Sequence, residues 1–205
     1  MKRDQTKSQF VAVASIAAEL SAVMDVAKEI SLAAANAKAI AFRAGEKAKG
    51  FQPITDFINE LAKDTIELVT AINEHALSLY QLTVNEYRMD DAYTKLKLAE
   101  NLAKDAAYKQ SLEQPLIKAM QSSQQCRRDF TSNVAQLLVQ LDEVMHPARA
   151  ARVIAANSRI EASQAGEYLQ SLQAVAESVD NAAQVIHENV LRCRSALSVV
   201  DMTNQ

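Results

Sequence analysis

The sequence predicts an all-α protein, a long antiparallel four-helix bundle with coiled-coil-like packing, and three observations lead to that prediction. Apolar residues make up 49% of the 205 residues but aromatic residues only 5%, which is typical of long helices packed through small and aliphatic side chains. The chain has only three glycines and three prolines, so few positions favour a turn. Two glycine-containing segments also match each other, which predicts two tandem helical hairpins.

The first helix is predicted from about residue 8 to residue 46. Gly45 and Gly50 then bracket a short turn, because glycine adopts left-handed backbone dihedrals without a Cβ clash. Apolar side chains of this helix recur at intervals of three and four residues, which indicates one face packed in a bundle: Phe10, Val13, Ala17, Leu20, Met24, Ala27 and Ile30.

The second helix is predicted to run from the first turn to about Leu112, where Pro115 ends it, so the first hairpin spans 1–114. Pro53 is acceptable in its first turn, where the missing N–H has no helical partner to lose. Two apolar series show the coiled-coil spacing of seven: Ile54, Leu61, Leu68, His75, Leu82, Met89, Leu96 and Ala103, and Ile58, Thr65, Ile72 and Leu79.

The second hairpin is predicted over 115–205 and forms a single domain, 1–205, with the first. Its first helix starts near Leu116, and Pro147 is expected to kink or interrupt it. The apolar positions of this third helix are Met120, Phe130, Val134, Leu137, Leu141 and Val144. The fourth helix runs from about 169 to 200 with apolar positions Leu172, Val175, Val179, Ala183, Ile186, Val190, Cys193, Leu197 and Val200.

An internal repeat relates the two hairpins. A shift of 121 residues aligns 23–46 with 144–167 without a gap and gives ten identical pairs in 24 positions. Asn, Gly, Glu and Met are among them, so alanine content alone does not explain the match. The second turn is therefore predicted at about 166–171, around Gly166, as the first is at about 45–51. One hairpin cannot bury its apolar face alone, so two hairpins side by side, with both tips at one end, are expected.

The first turn is flanked by a specific set of residues: Asn36, Ala37, Ala41, Arg43, Ala44, Gly45, Glu46, Lys49, Gly50, Phe51, Ile54, Asp56, Ile58, Leu61 and Ala62. In this order they resemble the cytoplasmic signalling hairpin of bacterial methyl-accepting chemotaxis receptors. The sequence departs from that family at Ile40, where the family has glutamate, at Ala48, where it has glycine, and at Pro53.

The second turn carries a weaker copy of the motif, which keeps Asn157, Ile160, Glu161, Ala162, Ala165, Gly166 and Glu167. It departs at Gln164, where the family has arginine, and at Leu169, Ser171 and Leu172, where the family has a glycine–phenylalanine turn. Two identical chains form the four-helix bundle of the family, so the resemblance implies a single-chain mimic of a receptor dimer. Specialisation of the two copies and decay of an ancestral function both remain open.

The family's tip binds the chemotaxis histidine kinase and its coupling adaptor and packs receptor dimers together. The resemblance therefore implies a soluble signalling protein whose tip binds or competes for kinase and adaptor, with chemoreceptors as further partners. The implied partner-binding residues are Asn36, Arg43, Glu46, Lys49 and Phe51 on the first tip and Asn157, Glu161 and Glu167 on the second. The alternative is a structural or interaction helical bundle of chemoreceptor ancestry that no longer contacts this machinery.

Three of these residues allow two interpretations. Phe51 belongs either to the binding surface or to the core, as an apolar plug under the turn. Asn36 and Asn157 either hydrogen-bond across the helix seam and set its register, as a buried asparagine does in coiled coils, or are solvated.

Nothing in the sequence supports an enzyme, a metal site or a cofactor. The histidines His75, His146 and His187 are scattered, and none has a second histidine or cysteine four residues away. His75 falls on a heptad position and is expected to be a hydrogen-bonded core residue. The net charge of −3, with interleaved acids and bases, gives no basic face for nucleic acid.

A cytoplasmic protein without membrane insertion is predicted. The sequence shows no signal-peptide pattern and no apolar run approaching the ~20 residues that span a bilayer. Cys126 and Cys193 are expected to be unpaired core residues in a reducing compartment.

The distal end, opposite the tips, is expected to be looser than the rest. The second and third helices reach farther from the tips than the first and fourth, so their ends must form a two-helix extension, fold back or pair with another molecule. Exposed apolar residues there favour a break near Asp90-Asp91 or homo-oligomerisation through the distal end: Leu102, Leu112, Leu116 and Ile117.

Overall fold

The computed structural model describes residues 2–103 and 105–202, with side chains described for residues 9–103 and 105–198. Four long helices account for most of this part of the chain: α1 (Lys2–Ala44), α2 (Phe51–Leu102), α3 (Glu113–Ala162) and α4 (Leu169–Met202). Short 3-10 turns lie at Gly45–Ala48, Lys109–Leu112 and Gly166–Tyr168. The described residues contain no strand, and the all-α prediction is confirmed.

Each long helix packs against two of the others. Helix α1 contacts α2 and α4, and α3 contacts the same two helices. The hydrogen bond from Arg159 lowers the pKa of the Asp180 carboxyl between α3 and α4. Ion pairs cross all four interfaces: Lys38–Asp56 (2.6 Å), Arg127–Glu86 (3.3 Å), Arg159–Asp180 (2.6 Å) and Arg192–Glu19 (2.9 Å).

The buried residues of the helices follow one spacing, which alternates between three and four and defines a heptad stripe. The stripe of α2 is Phe51, Thr55, Ile58, Ala62, Thr65, Val69, Ile72, Ala76, Leu79 and Thr83. The stripe of α3 is Phe130, Val134, Leu137, Leu141, Val144, Ala148, Ala151, Ala155, Ser158 and Ala162. The series predicted from Ile58 is thus the core of α2, whereas the series predicted from Ile54 lies half-buried at its edge. In α1, Ala17 is exposed instead of packed.

Hydroxyl groups within these stripes bond to their own helices. The Thr65 hydroxyl donates to the Leu61 carbonyl oxygen at 2.8 Å, and the Ser158 hydroxyl donates to that of Ile154 at 2.7 Å. A buried hydroxyl without a partner would destabilise the core, so these bonds allow threonine and serine at heptad positions.

Small side chains from α1 and α3 line the core near the tips. Ala27, Ala34 and Ala41 are buried in α1, and so are their counterparts 121 residues later, Ala148, Ala155 and Ala162. Helices α2 and α4 contribute larger side chains to the same cluster, among them Phe51, Ile58, Leu172 and Val179. Alternating small and large residues across facing positions fills the interior densely. Residues that the sequence repeat aligns therefore also occupy equivalent buried positions in α1 and α3.

The predicted end of α2 is wrong. Helix α2 ends at Leu102 instead of about Leu112, and α3 begins at Glu113, so that Pro115 lies in the first turn of α3. Proline is compatible with a first turn because its missing N–H has no helical partner there. Pro115 therefore helps to start α3 and does not end α2.

Two predicted interruptions are absent. Helix α3 continues through Pro147, which is itself buried, although proline removes one helical hydrogen bond. Helix α2 continues through Asp90 and Asp91, so the break expected there does not occur.

The stretch Gln9–Ala48 contains a longer apolar segment than predicted. An 18-residue window in it has a mean hydropathy of 1.8 and meets, by length and composition, the criterion for a membrane-spanning helix. Of that window, 33% is buried. The statement that no apolar run approaches bilayer length is therefore wrong. Core helices of soluble proteins and signal sequences meet the same criterion, so the absence of membrane insertion and the cytoplasmic location stay predictions.

Both cysteines are free, which agrees with the prediction that they are not bridged. The Cys193 thiol is buried and lies 3.9 Å from the carbonyl oxygen of Ile16. Burial raises the pKa of Cys193 to about 12. Burial also raises the pKa of Cys126, which is only half-buried.

We expect Cys126 to react with a thiol reagent well before Cys193 in the native protein at pH 8. The thiolate is the nucleophile, and Cys193 is both enclosed and protonated at that pH. Labelling of each cysteine is followed over time by mass spectrometry, and both should label quickly once the protein is unfolded. Equal labelling rates in the native protein would contradict the burial of Cys193.

Candidate functional site at the hairpin tips

Two glycines form the turns at the tips. Gly45 and Gly166 follow the ends of α1 and α3, and both have φ 59°. Residues with a Cβ adopt this left-handed conformation only at a cost, whereas glycine does so freely. No other described residue has a positive φ. The two turns thus use the same left-handed glycine conformation, at positions that the internal repeat aligns with each other.

Gly50 lies in close contact with a side chain of the other hairpin, and its dihedral angles do not require glycine. It precedes α2 and has helical angles, φ −66° and ψ −19°. A Cβ built at this position would lie 2.2 Å from Oε2 of Glu161. Glu161 belongs to the last turn of α3, so its carboxylate lies against the backbone at the start of α2. The second tip therefore contacts the first tip directly.

A second contact runs in the opposite direction. Cδ of Lys47, in the first tip, lies 3.9 Å from the position of a Cβ built on Gly166 in the second tip. This is an ordinary van der Waals distance. Each tip therefore lays one long side chain over the glycine of the other, and the two turns stand side by side.

Charged side chains project from the first tip. Arg43, Glu46 and Lys49 are exposed, and Glu167 is exposed on the second tip. Lys49 Nζ lies 3.4 Å from both carboxylate oxygens of Glu46. The two side chains are 72% and 88% exposed, so their ion pair contributes little to folding and leaves both charges accessible.

The other three predicted partner-binding residues differ in burial. Phe51 is fully buried under the first turn, so the plug interpretation holds, and Phe51 does not contact a partner while the tip is folded. Asn36 and Asn157 are both exposed. The interpretation that they hydrogen-bond across the seam is therefore wrong, and they are solvated.

Several exposed apolar side chains near the tips were not predicted from the sequence. Phe42 is 80% exposed beside Arg43, and Phe57 and Ile160 are exposed as well. The sequence did contain a signal, because Phe42 follows the buried Ala41 and so lies off the heptad stripe. Aromatic residues with this exposure, next to charged ones, are enriched in binding surfaces.

The histidines form no visible chemical site. His75 is half-buried, and its Nδ1 lies 2.7 Å from Oε1 of Gln140, between α2 and α3, as expected of a hydrogen-bonded histidine. Within the described part of the chain, no group of three or more His, Cys, Asp and Glu side chains is placed to hold a metal ion.

Comparison with known proteins adds no assignment. No protein-family model matches the chain, and no curated protein matches it at a significant level. The resemblance of the tips therefore rests on the sequence motifs alone.

We expect Gly45→Ala to lower the free energy of unfolding by about 1–2 kcal/mol. Nothing lies within 4 Å of an added Cβ, so the effect comes from the left-handed φ alone. Gly45→Asn should lose less, because asparagine tolerates this conformation. Urea unfolding followed by circular dichroism measures both. Full stability of Gly45→Ala would contradict the strained turn.

We expect Gly50→Ala to stabilise the protein more when Glu161 is absent. At helical dihedrals, alanine in place of glycine stabilises by about 0.4–1 kcal/mol, because it restricts the unfolded chain. In the intact chain the new methyl group must displace the Glu161 carboxylate, which offsets that gain.

A double-mutant cycle of Gly50→Ala and Glu161→Ala measures this coupling, for which we expect about 0.5 kcal/mol or more. Urea unfolding supplies the four free energies. An identical effect of Gly50→Ala in both backgrounds would show that the tips are not in contact.

Proposed function

We propose that the chain is an antiparallel four-helix bundle of two tandem hairpins and a single-chain mimic of a chemoreceptor dimer. Side-chain contacts between neighbouring helices support the antiparallel arrangement. From one contact to the next along an interface, the residue number on one helix rises while the number of its partner on the other helix falls. Between α1 and α2 the pairs are Phe10–Tyr80 and Lys38–Asp56, and between α2 and α3 they are His75–Gln140 and Glu86–Arg127.

We propose that the paired tips bind the chemotaxis histidine kinase and its coupling adaptor, or compete for them. The observation that carries this proposal is the position of the Glu161 carboxylate against Gly50, at the same end as the exposed Arg43. The first copy lacks the family's glutamate, at Ile40, and the second lacks its arginine, at Gln164. The paired tips then offer a partner one carboxylate, from Glu161, and one guanidinium, from Arg43, at the same end of the protein.

The surface of this proposed site consists of exposed charged side chains and one exposed apolar side chain, Phe42. Arg43, Glu46 and Lys49 set the register of a partner through complementary charge, and the exposed Phe42, next to Arg43 in the chain, supplies apolar area. Phe51 supports this surface from beneath. Glu167 adds a carboxylate from the second tip.

The second candidate function is a structural or interaction bundle of chemoreceptor ancestry that no longer contacts this machinery. The observation in its favour is at the distal end, where α2 and α3 carry exposed apolar side chains far from the tips, among them Leu98 and Leu102. A partner bound there would not need the charged tip.

We expect Arg43→Glu to weaken capture of the purified kinase–adaptor pair by about tenfold or more, because it opposes charge at the proposed contact. Binding is measured by biolayer interferometry with the immobilised protein. Helix content by circular dichroism should not change, since an exposed charge near a turn contributes little to folding.

Lys97→Glu is the matched charge reversal in the distal half, where Lys97 is exposed and pairs with Glu100. It should bind the pair as well as the unmodified protein does. Lys104, a second distal lysine, lies outside the described residues. Equal binding by both variants, or no binding by the unmodified protein, would favour the structural bundle.

A further inference from the structure

A surface groove lies between α2 and α3, away from the tips. Its floor is apolar and consists of Leu68 and Ala71 of α2 and Pro147 of α3. The groove has a volume of about 450 Å³, which lies within the range of ligand-binding clefts. Ala71 lies 20 residues after Phe51, so the groove is about 30 Å from the start of α2. We call it the α2–α3 groove.

Carboxylates surround the apolar floor. Asp64, Glu67 and Glu143 line the groove and are exposed, and they outnumber the one imidazole in the lining, His146. Glu67 lies 3.7 Å from Lys63, but their side chains are 66% and 74% exposed, so this ion pair is weak. No described residue forms an ion pair with Asp64 or Glu143. The groove therefore carries negative charge that the described part of the chain leaves largely uncompensated.

Pro147 adds a backbone acceptor to these carboxylates. Proline has no N–H, so the carbonyl oxygen of Glu143, four residues earlier in α3, has no helical donor from residue 147. That oxygen lies next to the proline ring, which lines the groove. A cationic group with several N–H donors can bond to this oxygen and to the carboxylates together.

The internal repeat relates the seam between α2 and α3 to the seam between α4 and α1. The shift of 121 residues that aligns α1 with α3 also maps buried positions of α2 onto buried positions of α4. Phe51 corresponds to Leu172, and Ile58 corresponds to Val179. Equivalent positions on the two seams can therefore be compared directly.

An arginine side chain lies across the equivalent seam. Arg192, 121 residues after Ala71, donates from its Nε to Oε2 of Glu19 in α1 at 2.9 Å. Its guanidinium also bonds to Asn189. Ala71 has only a methyl group at the corresponding position, so the α2–α3 groove is open where Arg192 covers the other seam.

We propose that the α2–α3 groove binds an arginine-bearing segment of a partner protein. The aliphatic part of the arginine packs on Leu68, Ala71 and Pro147, while its guanidinium reaches the surrounding carboxylates. Arginine fits better than lysine because its five N–H donors form a planar fork, whereas an ammonium group is a compact point charge. The inference does not depend on what the tips bind.

Further apolar surface on the same seam favours a protein segment over a small polycation. Phe57 lies two heptads before Ala71 on the same side of α2, and it is 56% exposed. Ile154 lies one heptad after Pro147 in α3 and is half-buried. Both are nearer to the tips than the groove is. A peptide segment can thus place an apolar side chain on this seam beside its arginine, which a polyamine cannot.

Fluorescence anisotropy with the full chain tests the proposal. The probe is a labelled synthetic peptide of arginine and leucine, and the control peptide has citrulline, an uncharged analogue, at every arginine. The arginine peptide should bind at least tenfold more tightly, because only its charge complements the groove. Its binding should also weaken as the salt concentration rises.

Variants of the chain locate the binding to the groove. Ala71→Arg should weaken binding at least tenfold, because its side chain would cover the groove as Arg192 covers the other seam. Ala18→Arg adds the same charge at an exposed alanine of α1 and should bind as the unmodified protein does.

A charge reversal in the groove gives an independent variant. Glu143→Lys should also weaken binding at least tenfold, because it places a positive charge beside the bound guanidinium. Glu29→Lys, at an exposed carboxylate of α1, should have little effect. Circular dichroism checks that the helix content of each variant is native.

Three results would overturn the proposal. The first is equal or absent binding of the arginine and citrulline peptides. The second is unchanged binding by Ala71→Arg or Glu143→Lys when their helix content is native. The third is binding of spermidine as tight as that of the arginine peptide and equally sensitive to Ala71→Arg, which would make the groove a polyamine site.

Discussion

The structure depends on the unbroken alternation of three and four residues between buried positions. This spacing fixes the register of each helix against two neighbours, so the levels of the two turns are set by packing and not by the turns themselves. Only with the turns level does Glu161 reach Gly50 and Lys47 reach Gly166. One residue inserted into a stripe would rotate the following positions by about 100° and separate these contacts.

The sequence predicted the helical class and both tips well, because heptads and glycines are local signals. It could not choose between the two apolar series of α2, which share the same period. The facing helices decide that Ile58 is central and Ile54 peripheral. Nor could it place the end of α2, since neither glycine nor proline marks Leu102.

The candidate site likewise has some features that the sequence predicts and one that it does not. The exposure of Arg43, Glu46 and Lys49 follows from their place near a turn, and the exposed Phe42 was readable from its position beside the stripe. The contact at Gly50 could not be predicted from the sequence, because it involves a carboxylate from the other hairpin. To predict a contact between segments distant in sequence, one must know how the two hairpins are positioned relative to each other along the helix axis. No local sequence pattern gives that position.

A single chain holding both halves of a tip is freed from a constraint on identical subunits. In a symmetric dimer a lost glutamate or arginine is lost twice, whereas under the proposed function Glu161 would complement Ile40 and Arg43 would complement Gln164.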